Sequence, residues 1–142
     1  MNRVSSEVLR HFHSIPLFST LSRRGLRLVA EAATEADVQA GTDLVREGEP
    51  DRDLFVVTRG EASVMQEGKR LGRVGPGEFF GELAFLTGEP RMATVRALTD
   101  MHVVVVRGRD LSALIEREPR LARQMMEAMA RRLQSNQRLR RP

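Results

Sequence analysis

Gly41, Gly48, Gly60, Gly68, Gly75 and Gly77 cut the middle of the chain into short runs, and this spacing limits what can form there. Glycine takes turn conformations that other residues resist, so each is a natural chain reversal. The runs between them are too short for core helices and suit single strands. Leu54-Phe55-Val56-Val57 reads as a buried strand, with Ala62, Val64 and Gln66 on the next and Lys69 to Val74 as a third. Thr94 to Leu98 and His102 to Val106 complete the set.

Helical periodicity flanks this region. Val4 to His13 predicts a short amphipathic helix with Val4, Val8, Leu9 and Phe12 on one face, broken by Ile15-Pro16. Ser22 suits the N-cap of a second helix running to Ala33, which would bury Leu26, Val29 and Ala30. After the strands, Asp110 is placed to cap a helix over Leu111 to Arg117, and Pro119 opens a long one toward Arg138. The expectation is one mainly β domain with flanking helices. Its parts are N-terminal helices over 1–33, a β-sandwich or barrel over 34–107 and C-terminal hinge and long helices over 108–142. The 142 residues suffice for a real core.

The segment 80–95, Phe-Gly-Glu-Leu-Ala-Phe-Leu-Thr-Gly-Glu-Pro-Arg-Met-Ala-Thr-Val, carries the chemistry. Glu82 and Arg91 stand on the two arms of a glycine-bounded loop, with an apolar stretch between them fit for one helical turn. Free N–H groups at such a turn suit an anion. Gly81 admits close backbone approach, and Arg91 offers a rigid fork of donors for phosphate oxygens. Glu82, an acceptor when ionised, suits a hydroxyl and repels a phosphate. The alternative is a surface turn in which Glu82 and Arg91 pair with each other.

This segment resembles the phosphate-binding cassette of the cyclic-nucleotide-binding domain family, which includes catabolite activator protein and the regulatory subunits of protein kinase A. The match falls on Phe80, Gly81, Glu82, Leu83, Ala84, Arg91, Ala93, Thr94 and Val95. The order of helices, strands and helices also agrees, from about Leu9 to about Leu139. The resemblance implies a β-roll, a double-stranded jelly-roll-like barrel. It implies that Glu82 binds the ribose 2′-hydroxyl and that Arg91 binds the cyclic phosphate with the backbone of Gly81, Leu83, Ala84 and Ala93. It further implies a base wall of Val64 and Leu71, with Gly72 leaving room. Met92 stands where guanine-selective members often carry a hydroxyl, so cyclic AMP is expected over cyclic GMP, and no other cofactor.

Ala122, Met126, Met129, Leu133 and Asn136 follow a four-three-four-three spacing, the seam of a helix that seeks a partner. A homodimer through this seam is expected. Leu121 and Met125 would pack on the domain. By the resemblance, Asn136 and Gln137 would meet the base. The seam could also fold back on its own domain.

Other classes fit poorly. His11, His13 and His102 are the three histidines, too scattered for a metal centre on a barrel, and Glu82 has no nucleophile beside it in the pattern. The expectation is a sensor domain rather than an enzyme. There is no cysteine, and Met1 to Pro16 lacks an apolar signal stretch, which is compatible with the cytoplasm. The longest valine run is too short to span a bilayer. Net charge is +4, with arginines clustered at Arg131, Arg132, Arg138, Arg140 and Arg141, read as a solvated helix end. Direct nucleic-acid binding is not expected. An output module such as a helix-turn-helix would lie outside this chain, so a further reading is the sensor half of a larger regulator. A third is an interaction module without ligand.

Overall fold

The computed structural model describes residues 2–140, with side chains from residue 3 to residue 135. Two antiparallel sheets form a β-roll. One sheet has the order β1-β2-β9-β4-β7, from Asn2–Arg3, Ala33–Val38, Met101–Val106, Leu54–Arg59 and Phe79–Phe80. The other has the order β3-β8-β5-β6, from Asp43–Val45, Thr94–Ala97, Ala62–Gln66 and Lys69–Val74. Helices α1 (Ser6–Arg10) and α2 (Arg23–Ala32) precede the roll, α3 (Glu82–Thr87) interrupts it, and α4 (Gly108–Arg117) and α5 (Pro119–Arg140) follow.

The central strand β9 explains the valine run. Every residue of β9 is buried because the strand separates two cores. Val104 and Val106 face the helices, packing with Phe12, Phe18, Val29, Leu54, Leu111, Leu121 and Met125. Met101, Val103 and Val105 face the inside of the roll with Val57, Ala62, Val95 and Ala97. A strand covered on both faces needs no polar alternation. The anchor of α5 is therefore Leu121 and Met125, deep in the helix-side core.

Several local expectations change. The first helix ends at Arg10, and 3₁₀ turns over Phe12–Ser14 and Pro16–Phe18 follow. Ile15 is extended, as a residue before proline tends to be. Phe12 enters the core, but Leu9 is exposed. Ser22 does cap α2, accepting from the Gly25 N–H at 3.1 Å. The awkward Gly25 has a tertiary reason: a Cβ there would lie 2.7 Å from a carboxylate oxygen of Glu118. Asp110 is not the cap of α4; it lies in the first turn, and Arg107 holds the cap position. The first N–H of α4 instead donates to the carboxylate of Asp53, a distant residue, at 3.4 Å. The short strands β3 and β7 had no visible pattern, since two or three residues cannot display a period.

Candidate functional site

The segment 80–95 folds around two glycines. Strand β7 pairs with β4, Phe55 opposite Phe80, and their rings stack with centroids 4.9 Å apart. Gly81 then turns with φ of 97°, and a Cβ there would lie 2.5 Å from the Asp53 carbonyl oxygen and 2.7 Å from the Arg91 guanidinium. Only glycine combines that backbone with that approach. The short helix α3 ends at Gly88, also left-handed, whose N–H donates to the Ala84 carbonyl at 3.0 Å. The chain returns through Arg91, whose backbone is held by Glu49 and Gly48 at 2.8 Å each.

Arg91 is 5% exposed. Its Nη1 donates to the Gly81 carbonyl at 3.1 Å, and its Nη2 donates to the Asp53 carbonyl at 2.8 Å and to the Asp51 carboxylate. The guanidinium carbon lies 6.0 Å from the Phe55 ring centre. Among the described residues its Nε is buried without a hydrogen-bond partner. A buried charged donor left unmatched is costly, so it marks a place where an acceptor is wanted.

Glu82 is 6% exposed. Its Oε1 accepts from Arg132 Nη1 at 2.8 Å. The same guanidinium donates to the Phe79 carbonyl and lies 4.6 Å over the Phe79 ring. The alternative of a surface Glu82–Arg91 pair is not what forms: both charges are buried, and each has its own partner.

Arg91 and Glu82 line one open cavity of about 950 Å³, bordered by the cassette, β5, β6 and α5. Gly81, Glu82, Leu83, Ala84, Arg91, Met92 and Ala93 contribute from the cassette, and Val64, Leu71 and Gly72 from the sheet. Leu71, Leu83 and Met92 are exposed and form an apolar rim. Opposite them, α5 supplies Met129, Arg132, Leu133 and Ser135. The side chains of Asn136 and Gln137 lie outside the described residues. On the expected dimer seam, Met126 and Leu133 are exposed, while Ala122 and Met129 are half-buried.

Two residues were not anticipated. Arg132 was read as part of a solvated basic end. Its spacing held the signal: with Leu121 and Met125 it recurs at four and seven residues, so it shares their inward face. Asp51 had no local signal, because its partner Arg91 lies 40 residues away. Elsewhere, His102 is buried on β9, with Nδ1 2.8 Å from Asp37 and Nε2 3.2 Å from Glu35 on β2.

A β-roll with a charged, glycine-bounded cassette facing a C-terminal helix defines a class of ligand-binding modules. The chain belongs to the cyclic nucleotide-binding domain family, whose model matches residues 35–118. It is 36% identical over 109 residues to a cyclic nucleotide-gated potassium channel of Mesorhizobium japonicum, covering 77% of this chain and 30% of the channel. Among solved structures, catabolite activator protein of Thermus thermophilus superposes with a TM-score of 0.76 at 28% identity, covering 86% of this chain and 60% of that one. The regulatory domain of Toxoplasma gondii protein kinase A, solved with cyclic AMP, gives 0.70 at 29% identity, over 78% of this chain and 46% of that one. The chain spans less than a third of the length of the first curated relatives it matches. No helix among the described residues is long and apolar enough to cross a membrane.

Proposed function

We propose that this chain is the cyclic-nucleotide sensor of a larger regulatory system, working in the cytoplasm, binding cyclic AMP in preference to cyclic GMP and acting through its C-terminal helices rather than by catalysis. The observation that carries this reading is the pair of buried opposite charges, Arg91 and Glu82, on one wall of one cavity. Arg91 is assigned the cyclic phosphate and Glu82 the ribose 2′-hydroxyl, with the cassette backbone from Gly81 to Ala84 and at Ala93 assisting. Val64 and Leu71 are assigned to the base. Asn136 and Gln137 are assigned to its polar edge. Met92 brings no hydroxyl to a guanine, which supports the preference for adenine.

The link to movement runs through Arg132. Glu82 already accepts from the guanidinium on Oε1, and a ribose hydroxyl bonded to the same carboxylate would share its negative charge and weaken that contact. A ligand that engages Glu82 therefore changes what α5 gains by lying where it does, and only such a difference in affinity shifts a conformational equilibrium. Parts 1–33, 34–107 and 108–142 thus act as support, sensor and output. A second chain is proposed to cover the seam of Ala122, Met126, Met129 and Leu133.

Calorimetry with cyclic AMP and cyclic GMP, on the parent chain and on Arg91→Ala, tests the assignment. The parent is expected to bind one cyclic AMP per chain, more tightly than cyclic GMP. The variant is expected to lose about 10- to 100-fold, the worth of a charged hydrogen bond. Unchanged affinity in the variant refutes the site, and tighter cyclic GMP refutes the preference.

A further inference from the structure

The tripeptide Asp51-Arg52-Asp53, leading into β4, touches both ends of the cassette and the first residue of α4. Asp51 accepts from Nη2 of Arg91, and the Asp53 carbonyl accepts from the same nitrogen at 2.8 Å. Arg52 donates to the Gly88 carbonyl at 3.4 Å. Asp53 accepts the Gly108 N–H at 3.4 Å. Gly108 is pressed onto Arg52 so closely that a Cβ would lie 2.9 Å from the Arg52 Cβ and 3.0 Å from its carbonyl oxygen. Neither the tripeptide nor Gly108 is among the residues lining the cavity.

A guanidinium has five N–H donors. Both hydrogens of Nη2 are engaged here, one of them by a carboxylate. A phosphate that grips Arg91 with two prongs, through Nε and Nη2, must take one of those hydrogens. The Asp53 carbonyl is wedged against Gly81, whereas the Asp51 side chain is 39% exposed and free to leave.

We infer that Asp51 is an internal counter-anion of Arg91 which the ligand's phosphate displaces, and that its release is transmitted through Arg52 and Asp53 to Gly108 and the start of α4. This rests on the assignment of Arg91 to an anionic ligand. The parent chain therefore carries a built-in competitor for its own site. It also has a route to α4 separate from the Arg132 contact with α5.

The test compares the parent with Asp51→Asn, which keeps the shape and removes the charge, and with Glu49→Gln, which removes an equal charge two residues away. Glu49 meets Arg46 at 3.7 Å through its side chain, so it controls for general electrostatics. Calorimetry with cyclic AMP is expected to show Asp51→Asn binding about fivefold tighter, the scale of a partly exposed ion pair. Without any ligand, the Gly108 amide of Asp51→Asn is expected to exchange its hydrogen several-fold faster, as the parent's does when cyclic AMP is added. Glu49→Gln is expected to match the parent in both. Weaker or unchanged binding by Asp51→Asn, an unaltered Gly108 amide, or equal effects from Glu49→Gln overturns the inference. If the parent binds no cyclic nucleotide, the functional reading fails, while ligand-free exchange at Gly108 still decides whether Asp51 controls α4.

Discussion

Replacing Arg132 by alanine tests how α5 is held over the cavity. The loss can be bracketed from the geometry. Exposed ion pairs contribute about 0.2–1 kcal/mol, whereas removing one partner of a buried pair costs about 3–5 kcal/mol. The Arg132 side chain is 35% exposed and that of Glu82 only 8%, so water screens the guanidinium but scarcely reaches the carboxylate. The expected cost lies between those limits, at about 1–2 kcal/mol. Loss of the contact over the Phe79 ring adds about 0.5 kcal/mol. For a domain of this size that lowers Tm by roughly 4–8 °C. The chain has no tryptophan or tyrosine, so urea unfolding is best followed by far-ultraviolet circular dichroism. Pairing Arg132→Ala with Glu82→Gln in a double-mutant cycle isolates the contact, and a coupling near 1 kcal/mol is expected. If the two variants simply add, to within about 0.5 kcal/mol, the pair does not hold α5 and the reasoning fails.

Acid should weaken the fold through two carboxylates outside the site. The hydrogen bond from Arg96 at 2.6 Å holds the Asp43 carboxyl below its usual range, and the hydrogen bond with the His102 ring does the same for Asp37. A carboxylate depressed on folding stabilises fully above its unfolded pKa, about 4, and that stabilisation disappears as pH falls through the lower folded value. The urea midpoint should therefore drop between pH 5 and pH 2.5, with a shallower drop in Asp43→Asn; a midpoint that holds or rises contradicts this. The proposed dimer makes a separate prediction. Sedimentation velocity should show mass rising with concentration in the parent, and Leu133→Glu, placing a charge on the exposed seam, should remain monomeric; a parent that stays monomeric at every concentration removes the proposal.

Much of the architecture was written locally. The glycines between Gly41 and Gly77 and the apolar runs beside them marked most strands, because turn conformations and strand burial depend on neighbours in the chain. Ser22 and Pro119 marked helix starts for the same reason. The segment His102 to Val106, with its run of four valines, announced a strand, but not that it would divide two cores, which depends on helices arriving from both ends of the chain. Asp110 misled because the group that meets the first N–H of α4, Asp53, is brought there by the sheet.

The sequence alone determined the cassette: residue types at fixed spacing, two glycines that set the backbone, and a carboxylate and a guanidinium on opposite arms. Tertiary structure alone decided what those charges meet. Arg91 is balanced by Asp51 and Glu82 by Arg132, partners 40 and 50 residues away. Charge pairing acts through space, and burial strengthens it by excluding water, so neither partner could be chosen until the sheet and α5 had packed.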